Sequence, residues 1–256
     1  EHMLTPTNTP VAVFHNLVDT FSKNLSVWHK YWDVKRKILG QDQIHPYDVW
    51  APIVAEPPRI PYRQAVSWIC DALAPLGDEY VSILRKGSLQ DRWVDWAPNA
   101  GKRQGAASSI MVDRKPPFIF TSYDESMLAV SILAHELGHS MHSYYTYHNV
   151  PDVYNGIEAI SSTVLETASN FHQAMLRAYL RSERGDDKNL QIAMIDEAIF
   201  NFHRYFLTMP TLARFEYEVF SQAEAGKPLT VGALKDLLKG FYADAYGGTM
   251  TDDPDR

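Results

Sequence analysis

The sequence predicts a mainly α-helical fold with one small antiparallel β ribbon in the middle of the chain. Apolar residues recur at helical spacing over most of the 256 residues. Between residues 92 and 123 this spacing is lost. There, Ser109-Ile110-Met111-Val112 and Phe118-Ile119-Phe120-Thr121 are typical of short strands, and the turn that joins them contains Pro116 and Pro117.

The helices can be placed from their apolar spacing and their end signals. Thr9-Pro10 is a typical helix start, a capping residue followed by proline, and this first helix is expected to continue to Leu39, before Gly40. Further helices are expected at 62–73, 78–86, 125–147, 157–183, 187–224 and 230–246, with a kink at Pro210. We expect a single domain over 1–256, with helices in 1–91, the ribbon in 92–123 and the remaining helices in 124–256.

The composition is that of a folded globular chain, and it argues against several functions. With 45% hydrophobic residues the chain has enough apolar surface for a core, and its net charge of -7 argues against a nucleic-acid partner. A single cysteine, Cys70, excludes an internal disulfide and fits a reducing compartment, so we expect a cytoplasmic location. No run reaches the ~20 apolar residues of a membrane span, and we expect no membrane association and no signal peptide.

The strongest chemical signal is the motif His135-Glu136-Leu137-Gly138-His139. His135 and His139 are four residues apart, so on a helix they lie on adjacent turns and can bind one metal ion. Glu136 is offset by ~100° and can take a proton from a water molecule at the metal. The motif therefore predicts one Zn²⁺ per chain, with Glu136 as general base. The alternative is a metal-free helix in which hydrogen bonds satisfy both histidines.

The predicted metal helix has two faces. Met127, Val130, Ala134, Leu137, Met141 and Tyr145 form an apolar stripe that we expect in the core. His135, His139 and His142 share another stripe with Leu128 and Ile132, which can line a cleft. His142 is seven residues from His135, or ~10.5 Å of helical rise, too far for both to bind one ion at ~2 Å. We therefore expect His142 in the cleft wall or in packing.

A catalytic zinc needs a third protein ligand as well as an open position. A turn at residues 151–156 precedes a helix that carries Glu158 and Glu166. Glu166 lies on a polar stripe, which is typical of a solvated face, while an apolar stripe of the same helix is expected to face the core. The polar stripe is Ser162, Glu166, Ser169, Asn170 and Gln173, and the apolar one is Ile157, Ile160, Val164, Ala168 and Phe171. These residues alone leave Glu166, Glu158 and Asp152 as candidate ligands.

The segment from His135 to Tyr144 resembles the active-site helix of the oligoendopeptidase F branch of the thimet-oligopeptidase-like metallopeptidases. Further segments are similar to the same family in the same order: Thr7-Asn8-Thr9-Pro10, His45-Pro46-Tyr47-Asp48 with Ala51-Pro52-Ile53-Val54, Gly101-Lys102-Arg103-Gln104-Gly105-Ala106 and Ala225-Gly226-Lys227-Pro228-Leu229-Thr230. The resemblance covers most of the chain. It implies a zincin-like, mainly helical metallopeptidase core.

The resemblance also implies roles for residues and a substrate class. In the family the third zinc ligand is a glutamate in a segment that corresponds to residues 158–166, which implies Glu166 as ligand and Glu158 as an acceptor behind the ligands. Family members enclose a deep channel and cut short peptides. They also have an N-terminal channel wall and a C-terminal segment whose His and Tyr stabilise the transition state, and we expect both to be missing here, leaving low activity.

We therefore expect a zinc-dependent endopeptidase of short oligopeptides. The alternative is a catalytically silent helical module that binds peptides or a partner chain. Glu136 between the two histidines favours the enzyme, because a binding module needs no base beside a metal.

A substrate site is also predicted. Phe118, Ile119 and Phe120 are expected to offer an unpaired strand edge to which an extended peptide adds, unless the strand is ordinary ribbon. Gly101 to Gly105 would form a mobile loop beside it, with Gly105 permitting close approach and the charges of Lys102 and Arg103 available to a substrate carboxylate. The alternative there is a solvated turn.

Overall fold

The computed structural model describes residues 4–109, 116–151 and 161–251, and the chain divides into two compact units. One unit comprises Glu1–Ile53 and Ala198–Arg256, and the other comprises Val54–Glu197. The described part is mainly helical with a three-stranded sheet, which confirms the predicted fold class. The assignment of residues 1–256 to a single domain stays a prediction. In the described parts, no helix has the length and apolar content that crossing a bilayer requires.

The helices are α1 (Val11–Lys23), α2 (Leu25–Ile38), α3 (Tyr62–Ala72), α4 (Asp78–Leu89), α5 (Met127–Asn149), α6 (Ser162–Glu183), α7 (Lys188–His203), α8 (Met209–Glu224) and α9 (Val231–Tyr246). The strands are β1 (Val94–Asp95), β2 (Ala106–Ser109) and β3 (Phe118–Thr121). Short 3₁₀ turns occur at Thr5–Thr7, Pro46–Trp50 and Ala74–Leu76.

Two predicted helices are interrupted. The first is divided at Asn24, whose backbone lies outside the helical region and whose side chain donates to the carbonyl of Thr20 at 2.8 Å. Asparagine favours such breaks because its side chain competes for backbone hydrogen bonds. The second irregularity is the predicted one: a π-helical turn, Arg204–Thr208, separates α7 from α8 just before Pro210. Proline has no backbone N–H, so the regular hydrogen-bond ladder cannot continue there.

The unit formed by the two ends of the chain has its own small core around the buried Trp32. The ring of Trp32 meets that of His203 edge-on, with 4.8 Å between centroids. Lys35 is also buried, and its Nζ donates to the carbonyl of Val49 at 2.9 Å. Because a buried ammonium needs such partners, this contact fixes where the Pro46–Trp50 turn lies against α2.

The larger core belongs to the unit Val54–Glu197, and α5 contributes one whole face to it. Met127, Val130, Ala134, Leu137 and Met141 are all buried, as predicted from their spacing. Ile69 and Leu73, on and just after α3, belong to the same core. The apolar stripe therefore anchors α5 and leaves its histidine face available for chemistry.

The sheet differs from the predicted ribbon in position and in topology. Its strand order is β1-β3-β2, with β2 antiparallel and β1 parallel to β3. The first ribbon strand is Ala106–Ser109 rather than 109–112, and residues 110–112 lie outside the described residues. The predicted unpaired edge at Phe118, Ile119 and Phe120 is wrong, because β3 is hydrogen-bonded on both sides. Among the described strands, β2 is the outer one beside α5.

His172 on α6 gives this unit a stability that depends on pH. Its Nδ1 lies 3.2 Å from the carbonyl oxygen of Ala134, which can only accept, so Nδ1 carries the proton and Nε2 accepts from the Tyr80 hydroxyl at 2.6 Å. Burial lowers the pKa of His172 to about 4. As pH falls, the unfolded chain therefore takes up a proton on this histidine before the folded chain does. The contribution of His172 to the free energy of unfolding is fully present above about pH 6.5 and is lost as pH falls toward 4.

We expect His172→Gln to reduce this loss. Between pH 7 and pH 4.5 the free energy of unfolding of the parent should fall by about 2–3 kcal/mol more than that of the variant. Urea unfolding at both pH values, with a chelator present, measures the difference. His148→Gln changes an exposed histidine and is the control. An identical pH dependence in the parent and His172→Gln would contradict the prediction.

Candidate metal centre

Three side chains of the unit Val54–Glu197 converge on one point. His135 Nε2 lies 3.2 Å from His139 Nε2 and 3.3 Å from Glu166 Oε2. His139 Nε2 lies 3.5 Å from the same Glu166 oxygen. Among the described residues, this is the group of histidine, cysteine and acidic side chains that could hold a metal ion. The structure therefore brings together the three ligands that the sequence and its resemblance predict.

These distances fit a zinc ion. Tetrahedral zinc with bonds of about 2.0–2.1 Å to nitrogen and oxygen places its ligand atoms about 3.3–3.4 Å apart. The three measured separations lie within about 0.2 Å of that value. Two imidazoles and one carboxylate are also a donor set that leaves a fourth position open. The residues present would therefore fit a zinc ion with one open position.

The two histidines are oriented so that Nε2 points into the site. His139 is hydrogen-bonded to the backbone of Leu165. Its pKa is lowered, mainly by burial and to a smaller extent by the neighbouring His135. His135 Nδ1 lies 3.2 Å from the side-chain oxygen of Gln173. Because that oxygen can only accept, Nδ1 of His135 carries the proton and Nε2 keeps its lone pair. Neutral rings in this orientation are what metal binding requires.

Glu166 lies on the predicted polar stripe of α6, but the burial of the two stripes differs from the prediction. Val164 and Phe171, expected in the core, are 53% and 52% exposed, whereas Ser169 and Gln173 of the polar stripe are 0% and 4% exposed. The polar side chains tolerate burial because they have partners at the site. Ser169 Oγ donates to Glu166 Oε2 at 2.8 Å, which fixes the carboxylate that faces the histidines. The spacing of Ser169 and Gln173 after Glu166 was visible in the sequence, but their partners were not.

Gly138 allows α5 and α6 to approach closely enough to form the site. A Cβ atom on Gly138 would lie 2.6 Å from the Cα of Ser169 and 2.7 Å from the carbonyl oxygen of Ala168. Backbone atoms cannot move aside as the end of a flexible side chain can, so only glycine fits at this crossing. Since Glu166 is three residues before Ser169, this crossing determines how far its carboxylate reaches.

Glu136 is buried next to the two ligands on α5. Burial raises the pKa of Glu136, a hydrogen bond from the Ser108 backbone lowers it, and the nearby Glu166 carboxylate raises it, so that together they bring it to about 7. Ser108 lies on β2, and its hydroxyl is 3.2 Å from that of Ser140 on α5. The outer strand therefore contacts the helix at the carboxylate, and Glu136 is able to exchange a proton near neutral pH.

The remaining predicted site residues lie outside the three-ligand cluster. His142 does not belong to it, and its Nδ1 is buried without a hydrogen-bond partner in the described residues. Glu158 and Asp152 lie outside the described residues. Gly105 has a φ of 108°, a conformation that favours glycine, and its carbonyl accepts from the backbone N–H of Ser122.

The prediction that Lys102 is available to a substrate carboxylate is wrong. Its side chain is buried, and its Nζ donates to the carbonyls of Asp95 and Ala97, both at 2.9 Å. The Asp95 carboxylate lies 3.0 Å away, and the ammonium also lies over the Phe120 ring. An ammonium with three donors has all of them occupied here, so Lys102 fastens the loop to the sheet.

Comparison with known proteins places the chain among peptidases. The sequence pattern of Peptidase family M3 matches residues 1–255. Oligopeptidase PepF of Bacillus subtilis is 34% identical over 95% of the chain, and an oligoendopeptidase F homolog of Borreliella burgdorferi is 31% identical over 95%. The chain spans only 36% and 41% of the lengths of these two relatives.

Solved structures share the fold. A structure from Chlamydophila abortus superposes with a TM-score of 0.75 at 32% identity, covering 96% of this chain and 40% of that one. Oligoendopeptidase-F from Enterococcus faecium superposes with a TM-score of 0.66 at 24% identity, covering 99% of this chain and 37% of that one. The second likeness supports the fold alone.

We expect Gly138→Ala to destabilise the chain and weaken metal binding. The new methyl group would press on the α6 backbone, which costs about 1–3 kcal/mol and displaces Glu166. Gly240→Ala is the matched control, because Gly240 lies in α9 with no atom within 4 Å of the added Cβ. That change should stabilise by about 0.5–1 kcal/mol through helix propensity alone. Urea unfolding without zinc measures the stability of both variants. An equal change in the free energy of unfolding of the two would contradict the prediction.

Proposed function

The chain belongs to Peptidase family M3, and on that premise we propose that it carries the catalytic core of a zinc-dependent endopeptidase. Its substrates would be short oligopeptides, whose peptide bonds it hydrolyses. The observation that carries the proposal is the convergence of His135, His139 and Glu166 at separations suited to one zinc ion. The names of the relatives, oligopeptidase and oligoendopeptidase, support the substrate class.

In this proposal the metal ligands and the proton carrier are different residues. His135 and His139 would hold the ion through Nε2, and Glu166 would hold it through Oε2. When bound, zinc supplies a Lewis acid that lowers the pKa of a water molecule and polarises a peptide carbonyl. Glu136 would accept a proton from the attacking water and later donate it to the leaving amine. A buried carboxyl with a pKa raised to about 7 suits both steps, because it takes up and releases a proton near neutral pH.

A catalytically silent module that binds peptides is the competing function. A binding site for peptides does not require a carboxyl beside the metal ligands, and burying Glu136 costs free energy because its charged form is desolvated. Retaining a group at such a cost is reasonable where it transfers protons. The burial of Glu136 therefore favours the enzyme.

We expect Glu136→Gln to retain zinc and to lose peptide cleavage by about 100- to 10,000-fold, because an amide of similar shape cannot accept a proton. A mixed pool of short peptides is incubated with parent or variant, with and without added zinc, and analysed by mass spectrometry. Elemental analysis should find about one zinc per chain in both.

Three results would count against the proposal. If the parent contained no zinc, the assignment of the metal site would be wrong. If Glu136→Gln cleaved peptides at the parental rate, the assignment of Glu136 as general base would be wrong. A parent that binds zinc but leaves every peptide intact would favour the silent module.

We expect Glu166→Ala to lower zinc affinity by more than about 100-fold, because it removes an atom that contacts the ion. Glu158→Ala should lower it less, since Glu158 is proposed only as an acceptor behind the ligands. Glu183→Ala changes an exposed carboxylate at the end of the same helix and is the control. Zinc affinity measured by competition with a chromophoric chelator separates the three. If Glu166→Ala bound zinc as tightly as the parent, Glu158 or Asp152 would be the third ligand instead.

A further inference from the structure

The two histidines of the metal centre are oriented by different kinds of group. His139 is hydrogen-bonded to the backbone of Leu165, a contact that does not depend on the Leu165 side chain. His135 is hydrogen-bonded through Nδ1 to the side chain of Gln173, at 3.2 Å. A free imidazole carries its proton on either nitrogen, so the acceptor at Nδ1 determines whether Nε2 has a lone pair for a metal. The orientation of His135 therefore depends on a side chain that mutation can remove.

Gln173 is itself held by a buried network behind it. Its Nε2 donates to Ser131 Oγ at 2.8 Å, and the same oxygen accepts from Arg177 Nη2 at 3.4 Å. Arg177 makes two hydrogen bonds to Glu197, from Nε to Oε2 at 2.9 Å and from Nη2 to Oε1 at 2.8 Å. Such a paired guanidinium–carboxylate contact is directional and restricts both side chains.

In this network the oxygen end of the Gln173 amide faces His135. Arg177 can only donate, so it occupies one lone pair of Ser131 Oγ, and the amide nitrogen of Gln173 occupies the other. The amide oxygen is then left for His135 Nδ1. The groups that produce this arrangement come from α5, α6 and α7, and all lie in the unit Val54–Glu197.

We propose that Gln173 is a positioning residue, which keeps His135 in the tautomer and orientation that present Nε2 to the metal. This inference rests on the zinc site proposed above. Gln173 touches neither the ion nor the substrate in this role, since it acts on the far side of the imidazole ring. Removing a hydrogen-bond partner of a zinc-bound histidine typically lowers metal affinity by about 10- to 100-fold.

A purely structural role for Gln173 makes a different prediction. Gln173→Met keeps the length of the side chain but offers Nδ1 only a weakly accepting thioether, whereas Gln173→Glu keeps a strong acceptor. If Gln173 only fills space, the two variants should differ in stability and not in zinc affinity. If it positions His135, Gln173→Met should bind zinc about 10- to 100-fold more weakly, and Gln173→Glu should bind at least as tightly as the parent.

The experiment measures zinc dissociation constants by competition with a chromophoric chelator for the parent and both variants. The matched control is Gln191→Met, which removes two hydrogen bonds from a glutamine side chain to the carbonyls of Leu180 and Arg184, both at 3.0 Å. It should destabilise the zinc-free chain and leave zinc affinity unchanged. Ser131→Ala removes the contact behind Gln173 and should lower affinity by about 2- to 10-fold, a test that holds even if Gln173→Met fails to fold.

The tautomer of His135 is the second readout, and it requires no metal. In ¹⁵N-resolved NMR of the zinc-free chain, the parent should show His135 protonated at Nδ1, and Gln173→Met should show a mixture of tautomers. Parental zinc affinity and an unchanged tautomer in Gln173→Met would overturn the proposal. A parent that binds no zinc would overturn the proposed function, while the tautomer comparison would still decide the role of Gln173.

Discussion

The absence of a side chain at Gly138 is the constraint on which the metal centre depends. It lets the backbone of α6 lie against α5 at Ser169 and Ala168, where even a methyl group would overlap backbone atoms. Glu166 is one helical turn away from this crossing, so its carboxylate reaches the two histidines that lie on either side of Gly138. The motif thus contains both the two proposed histidine ligands and the space that admits the proposed third ligand.

The contact between the two helices is polar as well as close, and this fixes its register. Ser169, His172 and Gln173 are buried on α6, and each would be costly there without a partner. His172 donates to the carbonyl of Ala134, and Gln173 is hydrogen-bonded to Ser131. Two apolar surfaces could slide by a turn at little cost, whereas these directional bonds are satisfied in one alignment. The alignment that satisfies them also places Glu166 beside His135 and His139.

The sequence predicted what depends on local pattern and failed where partners are distant. The apolar stripe of α5 placed its core face correctly because helical spacing is a local property. The polar stripe of α6 was interpreted as solvated because Ser169 and Gln173 find their partners 30 or more residues away or at the metal site. Strand β1 was not predicted because two residues carry no pattern, and its pairing with β3 leaves no free edge at Ile119 and Phe120. The choice of Glu166 over Glu158 came from the family resemblance, not from spacing.

Because the proposed ligands come from both α5 and α6, metal binding and the packing of the two helices are thermodynamically linked. An ion that binds only the packed arrangement stabilises it, and whatever loosens the packing must weaken the binding. A methyl group at Gly138 and a proton on His172 act on the same helix pair from different points, yet both should lower zinc affinity. Unfolding experiments therefore measure the effect of either change on the chain itself only when zinc has been removed. With zinc present, part of each loss would be measured as metal release instead.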